Sequence, residues 1–116
     1  MSITIYHNPR CSKSRETLAL LESHGHQPDI IEYLKTPPSL ETLQQLLEQL
    51  GFTDAHQLLR NKEDEYKALG LSPQSSQDAI LAAMVSCPKL IERPIVVHNN
   101  KAAIGRPPEA VLSLFA

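Results

Sequence analysis

Cys11 stands among Arg10, Ser12, Lys13, Ser14 and Arg15. A thiol set between cations and hydroxyls is placed to ionise, and the thiolate is the form that attacks and ligates. Before it lies an apolar run, Ile3 to Tyr6, stopped by a turn containing Pro9; after it, Leu18, Leu21 and the neighbouring Leu20 recur at helical spacing. The order strand, cysteine, helix aims amide N–H groups and the positive end of the helix dipole at the sulfur. Free thiols titrate near about 8.5, and such surroundings bring them to roughly 3.5–7.5. Cys11-Ser12-Lys13-Ser14 is not Cys-x-x-Cys, so a resolving thiol must come from Cys87 or from another molecule. Cys87 lies after a helical stretch and not at a basic helix N-terminus, and it reads as structural.

The elements that hold this cysteine follow from periodicity and punctuation. Gly25 stops the first helix, and Asp29 to Leu34 reads as a second strand, which makes a parallel βαβ unit. Thr36-Pro37-Pro38-Ser39 breaks the chain, and Leu43, Leu46, Leu47 and Leu50 then mark an amphipathic helix closed by Gly51. Asp54 and Gln57 form a capping-box pattern opening a short helix, DAHQLLR, with Leu58 and Leu59 inward and Arg60 at its end. Glu63 to Leu69 is a solvated helical turn or two, stopped by Gly70. Ser75 or Ser76 caps QDAILAAMVS, which must end before Cys87-Pro88. Arg93 to Val97 and Lys101 to Ile104 are a strand pair turned by Asn99-Asn100. A last helix opens at Gly105-Arg106-Pro107-Pro108-Glu109, with Val111, Leu114 and Phe115 inward.

The fold class expected is therefore α/β, a thioredoxin-like layout of the glutaredoxin type, βαβ…ββα. An all-helical insert, about residues 37–88, separates strands 2 and 3, and residues 1–116 make a single domain. In that layout the third strand is entered through a cis-proline facing the nucleophilic cysteine. Pro94 is the proline in that position, which puts Arg93 beside Cys11.

Composition narrows the function classes. A net charge of −2 makes no electrostatic case for nucleic acid or an anionic membrane, and 4% aromatic residues with no tryptophan leave no stacking platform for single strands. No apolar run approaches the roughly 20 residues that span a bilayer. Two cysteines without a secretory signal point to the cytoplasm. No His, Cys and carboxylate set has metal-ligand spacing, so no metal is expected. The step from Cys11 to Arg15 is too short for the Cys-x5-Arg loop of tyrosine phosphatases.

HNPRCSKSR, QLLR ending at Arg60, ERPIVV at Arg93 and IGRPPE at Arg106 together resemble the glutaredoxin-dependent arsenate reductase family. The resemblance runs from Ile3 to the C-terminus, helical insert included, and is strongest to the short members that lack a C-terminal extension. It implies reduction of arsenate to arsenite. The Cys11 thiolate attacks arsenic(V), glutathione adds as co-substrate, and glutaredoxin resolves the mixed disulfide; no cofactor stays bound. Cys11 is then the nucleophile, Arg60, Arg93 and Arg106 bind the oxyanion, and His7, Ser14, Arg15 and Pro94 support the thiol. Guanidinium groups suit this task because they offer paired planar donors. Two other functions share the layout. One is a regulator of the Spx type that binds RNA polymerase, a reading weakened by Ser14 where such proteins often carry a second cysteine. The other is a general glutathione-linked thiol oxidoreductase.

Overall fold

The first apolar run forms β1 (Ile3–Tyr6), with Ile3 and Ile5 buried and Thr4 and Tyr6 half-buried, the alternation of a strand covered on one face. In this computed structural model, which describes residues 2–115, β1 lies inside a four-stranded sheet of order β2-β1-β3-β4. It runs parallel to β2 (Asp29–Ile31), with Ile5 opposite Ile30, and antiparallel to β3 (Ile95–His98), with Ile5 opposite Val96. β3 pairs antiparallel with β4 (Lys101–Ile104). Asn99 and Asn100 turn that hairpin with φ of 54° and 61°, the left-handed pair that a two-residue connection requires. Helix α1 (Ser12–Ser23) joins β1 to β2.

Two compact units make up the chain. The first holds the sheet: residues up to Thr36 and those from Arg93 onward. Its core is Ile3, Ile5, Leu21, Val96 and Val111, with Leu18, Ala103, Leu114 and Phe115 packed against it. Two elements here depart from the sequence reading. The second strand stops at Ile31 because the chain turns back at Glu32, whose carbonyl accepts from both Lys35 and Thr36 N–H groups. That turn sends Tyr33 into the interior and leaves Leu34 exposed. The final helix, Pro108–Phe115, is 3-10 and not α, although Val111 is fully buried and Leu114 and Phe115 meet the core as the apolar spacing demands.

The second unit, Pro37–Glu92, is helical. Ser39 caps α2 (Leu40–Leu50) by accepting from Thr42 N–H, and Gly51 ends it in the left-handed conformation; Leu43, Leu46 and Leu47 are buried and Leu50 half-buried. Asp54 and Gln57 form the capping box, but the turn they open, Ala55–Leu58, is 3-10 and shorter than DAHQLLR. It ends there because Leu59 goes extended to bridge Ile91, flanked by Arg60 N–H to Leu90 C=O (2.7 Å) and Glu92 N–H to Leu58 C=O (2.8 Å). Next come α3 (Asp64–Ala68) and α4 (Gln77–Ser86). Ser76 caps α4, while the Ser75 hydroxyl accepts from Ser72 N–H. A further 3-10 turn, Pro88–Leu90, follows Cys87.

Candidate active site

Cys11 occupies the N-cap position of α1 with extended backbone (φ −93°, ψ 124°). Its N–H reaches Asn8 C=O and its own C=O accepts from Arg15 N–H, both at 3.0 Å, so the backbone on either side of the thiol is fixed. No side-chain oxygen caps this helix end. The half-buried sulfur faces the open amides instead. Burial pushes the thiol up, but the Ser14 N–H, the hydrogen bond and charge of Arg93, and the Lys13 N–H together outweigh it and hold Cys11 below the ordinary thiol range.

The cation that acts on the sulfur is therefore distant in sequence. Two of the cations that the sequence puts around Cys11 are engaged elsewhere. Lys13 pairs with Glu16 at 3.6 Å, and the Arg15 guanidinium donates to Pro9 C=O at 3.0 Å, which braces the loop. Arg93 enters from the start of β3, and Arg106 from the end of β4. Arg106 Nη2 lies 3.7 Å from Cys11 Sγ, and its Nε donates to Arg93 C=O at 2.8 Å, so the two residues are coupled. Both precede cis-prolines: the Arg93–Pro94 bond is cis as the layout requires, and so is Arg106–Pro107, which nothing in the sequence announced.

Behind the thiol, Ser14 is completely buried. Its hydroxyl accepts from Asn8 N–H (3.0 Å) and shares a 2.6 Å hydrogen bond with His7 Nδ1. The side chain of Ser14 thus serves the loop, and it is its amide that faces the sulfur. His7 is also buried; burial lowers its pKa, Glu32 opposes this and Arg15 reinforces it. A neutral imidazole accepting the Ser14 proton at Nδ1 fits that environment.

Arg60 is placed in the helical unit. Its Nη1 donates to Glu92 at 2.7 Å and its Nε to Glu63 at 3.3 Å, while Lys89 pairs with Glu63 (3.6 Å) and Glu65 (3.4 Å). Cys87, half-buried, closes α4 at its C-terminal end, and neither cysteine is in a disulfide. Among the described residues, no three His, Cys, Asp or Glu side chains group as a metal site would require, and no helix is long and apolar enough to cross a membrane.

A thiol on a helix N-terminus, flanked by a cis-proline at the start of an antiparallel strand, defines a protein of the thioredoxin-like class. The chain belongs to the ArsC family, whose pattern matches residues 6–114. It is 50% identical over 116 residues to the arsenate reductase of Haemophilus influenzae, covering 99% of this chain and 100% of that protein. It is 57% identical over 113 residues to the Escherichia coli K12 protein YfgD, covering 97% and 95% of the two chains. The solved structure of an arsenate reductase from Vibrio cholerae superimposes with a TM-score of 0.95 at 57% identity over 98% of each chain.

Proposed function

We propose that this protein is an arsenate reductase in which Cys11 is the nucleophile and glutathione and glutaredoxin are the reductants. The observation that carries the reading is the convergence of Arg93 and Arg106 on a thiol held toward its anionic form. A site built in this way suits a tetrahedral oxyanion. Guanidinium groups supply paired donors to its oxygens while the adjacent thiolate attacks the central atom. The names of the related reductases give the substrate. Arsenate gains two electrons from two thiols: the Cys11 sulfur bonds to arsenic as water leaves, and glutathione supplies the second sulfur. Arsenite departs as a Cys11–glutathione disulfide forms, with one water released overall. A glutaredoxin thiol then takes the glutathione and restores Cys11. No bound cofactor takes part.

In this reading Arg93 and Arg106 bind the oxyanion, His7 and Ser14 hold the cysteine loop, Arg15 braces it, and Pro94 orders the start of β3. Arg60 is assigned to the same oxyanion set on the motif resemblance alone. Both units act as one domain, which the family match across residues 6–114 supports. A free reactive thiol supports an assignment to the reducing cytoplasm.

The test is arsenite production by the purified protein with glutathione and glutaredoxin together, then with each withheld. Full dependence on both is expected, together with protection of Cys11 from alkylation by arsenate or sulfate. Reduction of glutathionylated substrates without arsenite production moves the assignment to a general thiol oxidoreductase.

A further inference from the structure

Three glycines, Gly25, Gly51 and Gly70, adopt positive φ, and a Cβ added to any of them would meet nothing within 4 Å, so they serve the backbone. Gly105 is the opposite case. It is buried and its φ lies outside the left-handed range, so any residue could adopt its backbone conformation. What it lacks is room. A Cβ there would stand 2.9 Å from Pro94 Cγ and 3.0 Å from Thr17 Cγ2, and nearer still to Thr17 Oγ1. Neither neighbour can give way easily. Thr17 is completely buried and its hydroxyl donates to Lys13 C=O at 2.8 Å, while Pro94 is a buried, rigid ring.

We infer that Gly105 is the positioning residue for Arg106: its missing side chain seats the exit of β4 against Thr17 and Pro94, and that seating delivers the Arg106 guanidinium to the Cys11 sulfur. The connections are short. Gly105 N–H donates to Pro94 C=O at 3.0 Å, Arg106 N–H to Ile104 C=O at 2.9 Å, and Arg106 Nε to Arg93 C=O at 2.8 Å. A side chain at residue 105 pushes this segment away from α1 by the distance needed to restore ordinary contact. The 3.7 Å approach of Arg106 Nη2 to sulfur is already long and does not survive such a shift.

This inference deepens the reading of Cys11 as a reactive thiolate, and its test needs neither arsenate nor glutaredoxin. Alkylation of Cys11 is followed against pH in a Cys87→Ser background, so that one thiol reports. Below the thiol's midpoint, Arg106→Ala should slow the reaction roughly two- to fivefold, the size of an exposed charge contact. Gly105→Ala should slow it by the same factor and move the pH profile the same way. Combining Gly105→Ala with Arg106→Ala should add nothing further. Thr17→Ala in the Gly105→Ala protein removes the two contacts with Thr17 and leaves the one with Pro94 Cγ, so it should recover part of the rate; this pair also carries the test if Gly105→Ala alone does not fold. A folded Gly105→Ala protein with the parental rate, losses that multiply with Arg106→Ala, or no recovery from Thr17→Ala would each overturn the proposal. A protein that shows this pattern yet reduces no arsenate retains the positioning role and loses only the substrate assignment.

Discussion

The N-terminal end of α1 and those of α2 and α4 start from the same open amides and use them in opposite ways. In the helical unit, Ser39 and Ser76 each place a hydroxyl on the third amide of the helix that follows, and Asp54 places a carboxylate oxygen on the second amide of its 3-10 turn, His56 N–H. Those ends are closed and serve stability. At α1 the N-cap residue is Cys11, no side-chain oxygen fills the position, and the amides of Lys13 and Ser14 act on sulfur. A neutral thiol is a poor cap and a thiolate a good one, so the helix end is completed only when the nucleophile is charged. Cys87 sharpens the contrast, because it sits at a helix C-terminus, where carbonyls and not N–H groups are left over.

The strongest way to break the comparison is to convert the α1 end into an ordinary one. Cys11→Ser replaces the sulfur with a preferred cap, and we expect it to abolish arsenite production. The same variant should be more stable than the parent by about 0.5–1 kcal/mol at a pH below the native thiol midpoint, measured by denaturant titration, because serine is a better N-cap than a neutral thiol. Cys87→Ser should keep most of the activity. Comparable loss in both variants, with the fold intact, would instead point to an internal Cys11–Cys87 disulfide.

Next in size is the remote cation. Arg93→Ala removes both a hydrogen bond and a charge from the thiol. A hydrogen bond to a charged group is worth roughly 1.5–3 kcal/mol, reduced here because the sulfur is partly exposed to water. The expected loss is about five- to tenfold in alkylation rate below the thiol midpoint, greater than for Arg106→Ala. Arg10→Ala should leave the rate nearly unchanged. Equal losses from Arg10 and Arg93 would return the effect to the local cations.

That contrast also marks how far the sequence could be read. Cys11 before a helix, Asn99-Asn100 in a hairpin and Asp54 with Gln57 were legible because their signals span a few residues and the physics is local. The cis bond before Pro94 was legible only through the order of the elements. What stayed hidden depends on contacts far apart in the chain. The Arg60–Glu92 pair joins residues 32 apart, and Gly105 meets Thr17 across the sheet unit. Periodicity also misjudged Leu59, whose pairing with Ile91 overrides the helical continuation.

The two buried or half-buried titrating groups of the site give a pH signature. Cys11 is held below its ordinary value, so the folded state binds fewer protons than the unfolded one in that window. Its contribution to stability is complete above the unfolded value, about 8.5, and is lost as pH falls through the native value. His7, lowered by burial, acts in the same direction at a lower pH: its contribution is complete above about 6.5 and lost as pH falls through its native value. Stability measured against pH should therefore fall on acidification, from below about 8.5 for Cys11 and from below about 6.5 for His7. Cys11→Ala should remove the loss that begins at the higher pH and His7→Gln the loss that begins at the lower. A parent profile already flat from pH 9 to pH 5 would contradict both shifts.

The smallest expected effect tests the closed helix ends. Ser39→Ala and Ser76→Ala each delete a cap hydrogen bond, to Thr42 N–H (3.2 Å) and Ala79 N–H (3.1 Å). Loss of such a cap costs about 1 kcal/mol, within a range of roughly 0.5–2. Both caps are exposed, so water takes over part of the lost bond and the lower half of that range is expected. Their contribution is to stability alone, and the alkylation rate and pH midpoint of Cys11 should match the parent in both variants. The two sites are separate helix ends, so the double variant should lose about the sum. If either substitution moved the Cys11 midpoint, the division between helix ends spent on stability and the one left open for chemistry would fail. The helical unit would then have to be counted among the determinants of the thiol itself.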